Sequence, residues 1–206
     1  MLKEKKLSRR EREKLLQRDE IMSASLKLFS KKGYSSVSML EIAKSAEFSV
    51  GTLYKFFKNK EDLFKALVWE QFCKFNNLML KAIDEPKTEI DKLRNYVTVK
   101  GEIFNANAQM IRIYYSEIEG ARFNFMAGLD SAVKKRHEQF LQKLAGIFDS
   151  GMRAKRFKRI AEPIHLAVSL ESMVHALLFR WLDAPEANPY PKDPDVILNI
   201  LFKGLL

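Results

Sequence analysis

Apolar residues recur at three- and four-residue spacing along nearly all of this chain, while glycine and proline, the usual breakers, number only 8 and 6 in 206 residues. A strand needs period-two alternation, and no segment shows it convincingly. The chain is therefore expected to be all-α. Helix ends follow from capping chemistry. A first helix is expected over about Arg12–Lys32, with Ile21, Ala24, Leu28 and Phe29 inward and Gly33 as a left-handed stop. Ser38 with Glu41 three residues on forms a capping-box pair for a short second helix ending near Ala46. Ser49 caps a third, reaching Phe57, with Val50, Leu53 and Phe57 on one face and Thr52 and Lys55 on the other.

Asn59 with Asp62 starts a longer fourth helix running to about Ile83, and Pro86 ends it. Thr88 with Asp91 repeats the signature for a fifth. Further boundaries fall near Asn107, Gly120 and Asn124. A long helix over Phe125–Ser150, stopped by Gly151, follows. Pro163 suits the first turn of a helix to Leu182, where a missing N–H costs nothing. Pro194 opens the last, whose Val196, Ile197, Ile200, Leu201 and Leu205 form an apolar stripe.

Net charge is +10, but its placement is more informative. Residues 1–60 hold 15 Lys and Arg against 7 Asp and Glu, a surplus of +8, and the remaining 146 residues are nearly balanced at +2. A positive field concentrated at one end suits a phosphate backbone, whose neutralisation releases condensed counterions, and it equally suits an anionic membrane surface. The basic arm over residues 1–15, with Lys3, Lys5, Lys6, Arg9, Arg10 and Arg12, is open both to disorder and to entry into a minor groove. The amino terminus lacks the apolar core of a secretory signal, and no apolar run approaches the ~18 residues a membrane span needs. A cytoplasmic location without membrane insertion is expected. Cys73, the single cysteine, is expected to be buried between Phe72 and Phe75.

Residues 38–64, SMLEIAKSAEFSVGTLYKFFKNKEDLF, bring together a capped helix, an Ile-Ala pair, Gly-Thr-Leu-Tyr, a Phe, and Asn-Lys-Glu-Asp-Leu. This stretch resembles the TetR family of bacterial transcriptional regulators. The resemblance implies an N-terminal three-helix DNA-binding domain with a helix-turn-helix over residues 16–62. A larger helical effector-binding and dimerisation domain over 63–206 would follow. It also implies that Val50 and Thr52 approach bases while Ser38, Tyr54, Lys55 and Lys60 hold phosphates, with Ser49 and Gly51 completing the first turn of the recognition helix. Gly51 makes sense where a backbone must approach DNA closely, and plain packing would explain it equally well. The family commonly has glycine where this chain has Glu47, and a left-handed glutamate costs roughly 1 to 2 kcal/mol.

Beyond Leu67 the resemblance implies only an architecture. Family members dimerise through their last two long helices, which makes Val174, Leu177, Leu178, Trp181, Ile197 and Leu201 candidate interface residues and the monomer core the alternative. Phe104, Met110, Tyr114, Phe123, Phe148 and Met152 are candidate linings of an apolar effector pocket, or core. The turn carrying Arg153, Lys155, Arg156, Lys158 and Arg159 suits either an anionic ligand group or solvent. No catalytic or cofactor motif occurs, and His165 and His175, ten residues apart, do not share a helix face for a metal.

The expected protein is thus a homodimeric repressor that binds a palindromic operator and is released by a small, largely hydrophobic effector, with a tilt of the fourth helix as the expected route. The competing expectation is a helical carrier or enzyme for a lipid-like molecule with a basic membrane-associating arm.

Overall fold

The structure, a computed structural model, describes residues 8–120 and 127–203, and side chains over 8–115 and 131–203. Those residues are helical and contain no strand: α1 (Arg9–Lys32), α2 (Met39–Ser45), α3 (Val50–Phe56), α4 (Lys60–Asp84), α5 (Glu89–Ala106), α6 (Ala108–Gly120), α7 (Ala127–Arg153), α8 (Pro163–Asp183) and α9 (Pro194–Phe202). They fall into two compact units. The first holds residues up to Trp69 together with α6 from Gln109, and the second holds Glu70–Ala108 with the chain from Ala127 onward. The boundary lies beyond the expected residue 62 because Leu63, Phe64 and Leu67, in the first turns of α4, are buried in the first unit.

In the first unit, α1 begins at Arg9 rather than near Arg12. Ser8 and Glu11 make a full capping box, Glu11 N–H donating to Ser8 Oγ (3.2 Å) and Ser8 N–H to Glu11 Oε2 (2.8 Å). Two orphan donors are satisfied, so residues 9–15 of the expected arm are helical. Arg9 also pairs with Glu13 across one turn (2.8 Å). Lys3, Lys5 and Lys6 lie outside the described residues. Gly33 ends α1 at φ 79°, a conformation that a side chain would strain. The core that fixes the short helices consists of Ile21, Phe29, Ile42, Leu53 and Leu63, all at most 1% exposed. Tyr34 stacks obliquely on Phe64 (4.8 Å), which meets Phe29 edge-on (5.6 Å). Leu28 is half-buried instead of fully inward, and Phe56 is half-buried as well.

The second unit packs α7 against α8, with α5 and α9 beside them. Its apolar centre contains Leu93, Leu144, Phe148, Leu170 and Val174. A charged pair sits within it. Lys100 Nζ donates to Glu171 Oε1 (2.8 Å) and to Tyr96 Oη (3.0 Å), and Lys100 and Tyr96 are 6% and 0% exposed. Burial pushes the Glu171 carboxyl upward, but the His175 ring and the Lys100 ammonium beside it prevail and hold it at about 2. Burial likewise opposes the charge on Lys100, and the facing Tyr96 and Glu171 more than offset it, raising the ammonium above its ordinary value.

Gly151 does not stop α7 as its residue type suggested. The helix continues to Arg153 and closes on a Schellman motif, with Arg156 N–H donating to Gly151 O (2.9 Å) and Lys155 N–H to Met152 O (3.0 Å) around a left-handed Lys155 at φ 57°. The glycine has another use. A Cβ there would lie 2.3 Å from Phe157 Cδ2, so Gly151 admits the ring that folds back onto the helix. Cys73 is half-buried, less enclosed than its aromatic neighbours implied.

Candidate nucleic-acid interface

Helix α3 is seven residues long and is anchored by one side of itself. Leu53 is fully buried and Phe57, at its C-cap, is 3% exposed, which leaves the remaining positions on or near the surface. Gly51, Tyr54 and Lys55 are exposed, Tyr54 to 53%, and Val50 and Thr52 are half-buried. The first turn is preorganised. Ser49 Oγ accepts the Thr52 N–H (3.1 Å) and lies 2.9 Å from Thr52 Oγ1, so the two hydroxyls fix each other's direction at the helix N-terminus. Ser38 caps α2 in the same manner, accepting the Glu41 N–H (3.2 Å), and its own hydroxyl hydrogen remains a donor.

The turn between α2 and α3 keeps the left-handed form although glutamate stands where the family commonly has glycine. Glu47 lies at φ 61° and completes a Schellman closure, with Phe48 N–H donating to Ala43 O (2.9 Å) and Glu47 N–H to Lys44 O (3.3 Å). These two bonds, with the core contacts of Leu53 and Ile42, hold a glutamate where glycine would sit without strain.

Gly51 resolves an alternative that sequence left open. A Cβ built on it would meet only Ser49 Oγ, at 3.8 Å, an ordinary contact. Nothing among the described residues requires glycine there. Lys60, by contrast, is not a loose surface cation. Its ammonium donates to Tyr34 O (2.9 Å) and Ser35 O (3.4 Å) and sits 4.3 Å over the Tyr34 ring, tying the start of α4 to the connector before α2. Lys44 and Lys58, not singled out from sequence, are exposed on the same unit, and Leu40 on α2 is 68% exposed. An exposed leucine inside a basic module is a departure from pattern that could have been noticed, since it occupies the first turn of the capped helix.

The other candidates are dispersed. Phe104, Phe148 and Met152 are buried in the second unit, Met110 and Tyr114 belong to the first, and Phe123 lies outside the described residues. Phe148 packs on Phe157 and Phe202, an ordinary core role. Among the candidate interface residues, Val174, Leu178 and Ile197 are fully buried within their own chain, because α8 must cover both α7 and α9. Leu177, Trp181 and Leu201 are half-buried. The apolar side chains that α8 and α9 leave exposed are instead Val168 (43%), Val196 (44%) and Ile200 (62%). No group of three or more potential metal ligands occurs among the described residues.

Two short capped helices joined by a tight left-handed turn, the second buried on one side and polar on the other, define a helix-turn-helix, the DNA-reading element of transcription regulators. The family profile described as "Bacterial regulatory proteins, tetR family" matches residues 21–67, which span this module. An uncharacterized HTH-type transcriptional regulator of Haemophilus influenzae is 34% identical over 76 residues, a match covering 37% of this chain and 41% of that protein. The regulator YhgD of Bacillus subtilis is 25% identical over 181 residues, 88% of this chain and 90% of its own. FadR from Bacillus subtilis, a transcriptional regulator solved with stearoyl-CoA, has the same fold at a TM-score of 0.72 and 20% identity, over 91% of this chain and 99% of that one. Residues 21–67 thus carry a DNA-binding module of the type found in TetR-family transcriptional regulators.

Proposed function

We propose that two copies of this chain grip a palindromic operator through paired α3 helices and repress transcription by occupying it, until a small, largely hydrophobic effector releases them. The observation that carries the DNA contact is α3 itself: Leu53 and Phe57 face inward while Ser49, Gly51, Tyr54 and Lys55 are exposed and Val50 and Thr52 half-buried beside them. In this reading Val50 and Thr52 meet base edges, and Ser38, Tyr54 and Lys55 hold phosphates. Lys60 acts one step back, by fixing the connector that carries Ser38. The effector's apolar character is supported by the stearoyl-CoA held by the FadR neighbour. Dimerisation is assigned to the outer faces of α8 and α9, through Val168, Val196 and Ile200 rather than the buried residues first considered. Cytoplasmic residence follows from acting on DNA, and no helix among the described residues is long and apolar enough to cross a membrane. The regulator module over residues 21–67 and the HTH-type regulators among the relatives favour this reading over a carrier or enzyme.

The test is selection of duplexes from a random pool, followed by titration of the winner at several salt concentrations. A two-fold symmetric site binding two chains is expected. Thr52→Ala should change which bases are preferred, whereas Lys55→Gln should weaken all duplexes alike and flatten the salt slope by about one unit. Enrichment of no sequence, or equal behaviour of both variants and the parent, rejects the assignment.

A further inference from the structure

We propose that the turn joining α7 to α8 is a binding site for a small phosphorylated molecule, separate from the DNA-binding surface. The turn borders an open cleft of about 340 Å³ with an apolar floor, Met152 and Phe157, and a rim of five cations. That volume accommodates a small organic ligand.

The charge on the rim exceeds what the fold consumes. Arg153 pairs with Asp149 (2.8 Å), Arg156 with Glu89 (2.7 Å), and Arg159 reaches Glu162 at 4.0 Å. The C-terminal end of α7 contributes roughly half a negative charge more. Against five cations these leave a surplus of about +1.5, too much to be explained as complementing one helix end. The surplus is carried by Lys155 and Lys158, both exposed and neither in an ion pair among the described residues.

The rim is also held in place. Glu89, 7% exposed, accepts from both Ser150 Oγ (2.8 Å) and one terminal nitrogen of Arg156, so the guanidinium is oriented from behind by a single contact. The rest of its planar fork is left to face a ligand, and that geometry matches phosphate oxygens. Lys155 is set by the two Schellman bonds already described. An anion of two or more charges, carried on a body that can lie against Phe157 and Met152, fits this arrangement.

The probe is inorganic pyrophosphate, titrated calorimetrically into the whole protein at low salt. The variant is Lys155→Gly with Lys158→Gln, which removes the two unpaired cations and relieves the left-handed lysine, so it should fold as well as the parent. Saturable one-site binding is expected, weakened about tenfold or more in the double variant and unchanged in Lys55→Gln with Lys58→Gln. Absence of binding, equal binding by the turn variant, or loss confined to the α3 variant overturns the proposal. So does a turn variant that loses duplex DNA and keeps pyrophosphate, since the turn is then a nucleic-acid contact.

Discussion

Replacing Gly51 by alanine separates what the fold needs from what DNA needs. Glycine in a helix is less favourable than alanine by up to about 1 kcal/mol, and in a first turn by somewhat less. The added methyl meets only Ser49 Oγ at 3.8 Å and therefore has room. Gly51→Ala should accordingly stabilise the free protein by about 0.5 to 1 kcal/mol, a melting rise of roughly 1 to 4 °C. On operator DNA the same methyl occupies the space through which the α3 backbone approaches the duplex, and a displacement of the helix should weaken binding about tenfold, or about 1.4 kcal/mol. Thermal denaturation and fluorescence anisotropy on one preparation read both quantities. A variant that is less stable shows that glycine serves internal packing after all. A variant that is more stable and binds with undiminished affinity shows that DNA does not come close at this point, and the reasoning that places Gly51 at the interface is refuted.

Lys100→Met should destabilise the second unit by about 3 to 5 kcal/mol in urea denaturation, because Glu171 is left buried without its partner, and adding Glu171→Leu should recover most of that loss; equal stability of single and double variants would argue against a coupled pair. Ile200→Glu, at a position 62% exposed in the single chain, should leave the melting of dilute protein nearly unchanged while lowering the mass measured by light scattering from two chains to one. The Arg156 guanidinium, opposed by burial and aided by Ser150, holds the Glu89 carboxyl at about 2, below the ordinary 4.5. Its contribution to stability is therefore complete above the unfolded value near 4.5 and lost as pH falls toward 2, a slope that Glu89→Gln should reduce in acid titration of the melting temperature.

Capping chemistry made the helix-turn-helix legible because its signals are local. Ser38, Ser49 and Asn59 each announce a helix start within four residues, and each is a cap in the structure. Glu47 was less legible: it stood out only as a departure from the family's glycine that weakened the expected turn, and the structure nonetheless holds it left-handed at φ 61°. Long-range packing was less accessible. Val174, Leu178 and Ile197 have the composition of an interface stripe, and periodicity alone does not say whether a helix turns that stripe to a second copy or to α7 and α9. Gly151 misled for a related reason: the signal for a helix stop and the signal for a close ring contact are the same residue, and only the position of Phe157 tells them apart.

The contrast between Gly51 and Gly101 shows how structure converts composition into function. At Gly101 a Cβ would fall 2.5 Å from Tyr190 Cε1, so that glycine is explained within the chain, by the ring whose hydroxyl donates to Val97 O (3.1 Å). At Gly51 the chain supplies no such reason, and the residue stands exposed in the first turn of a helix whose length and caps leave it no slack. Tyr54 and Lys55 follow it and are exposed too, while Leu53, just before them, is sealed in the core. A short helix that carries a destabilising residue beside a buried anchor is held against its own propensity by that anchor, and the surface so maintained faces outward. Under the proposed function, the free energy forgone at Gly51 is recovered in the DNA contact, where a methyl group would intrude.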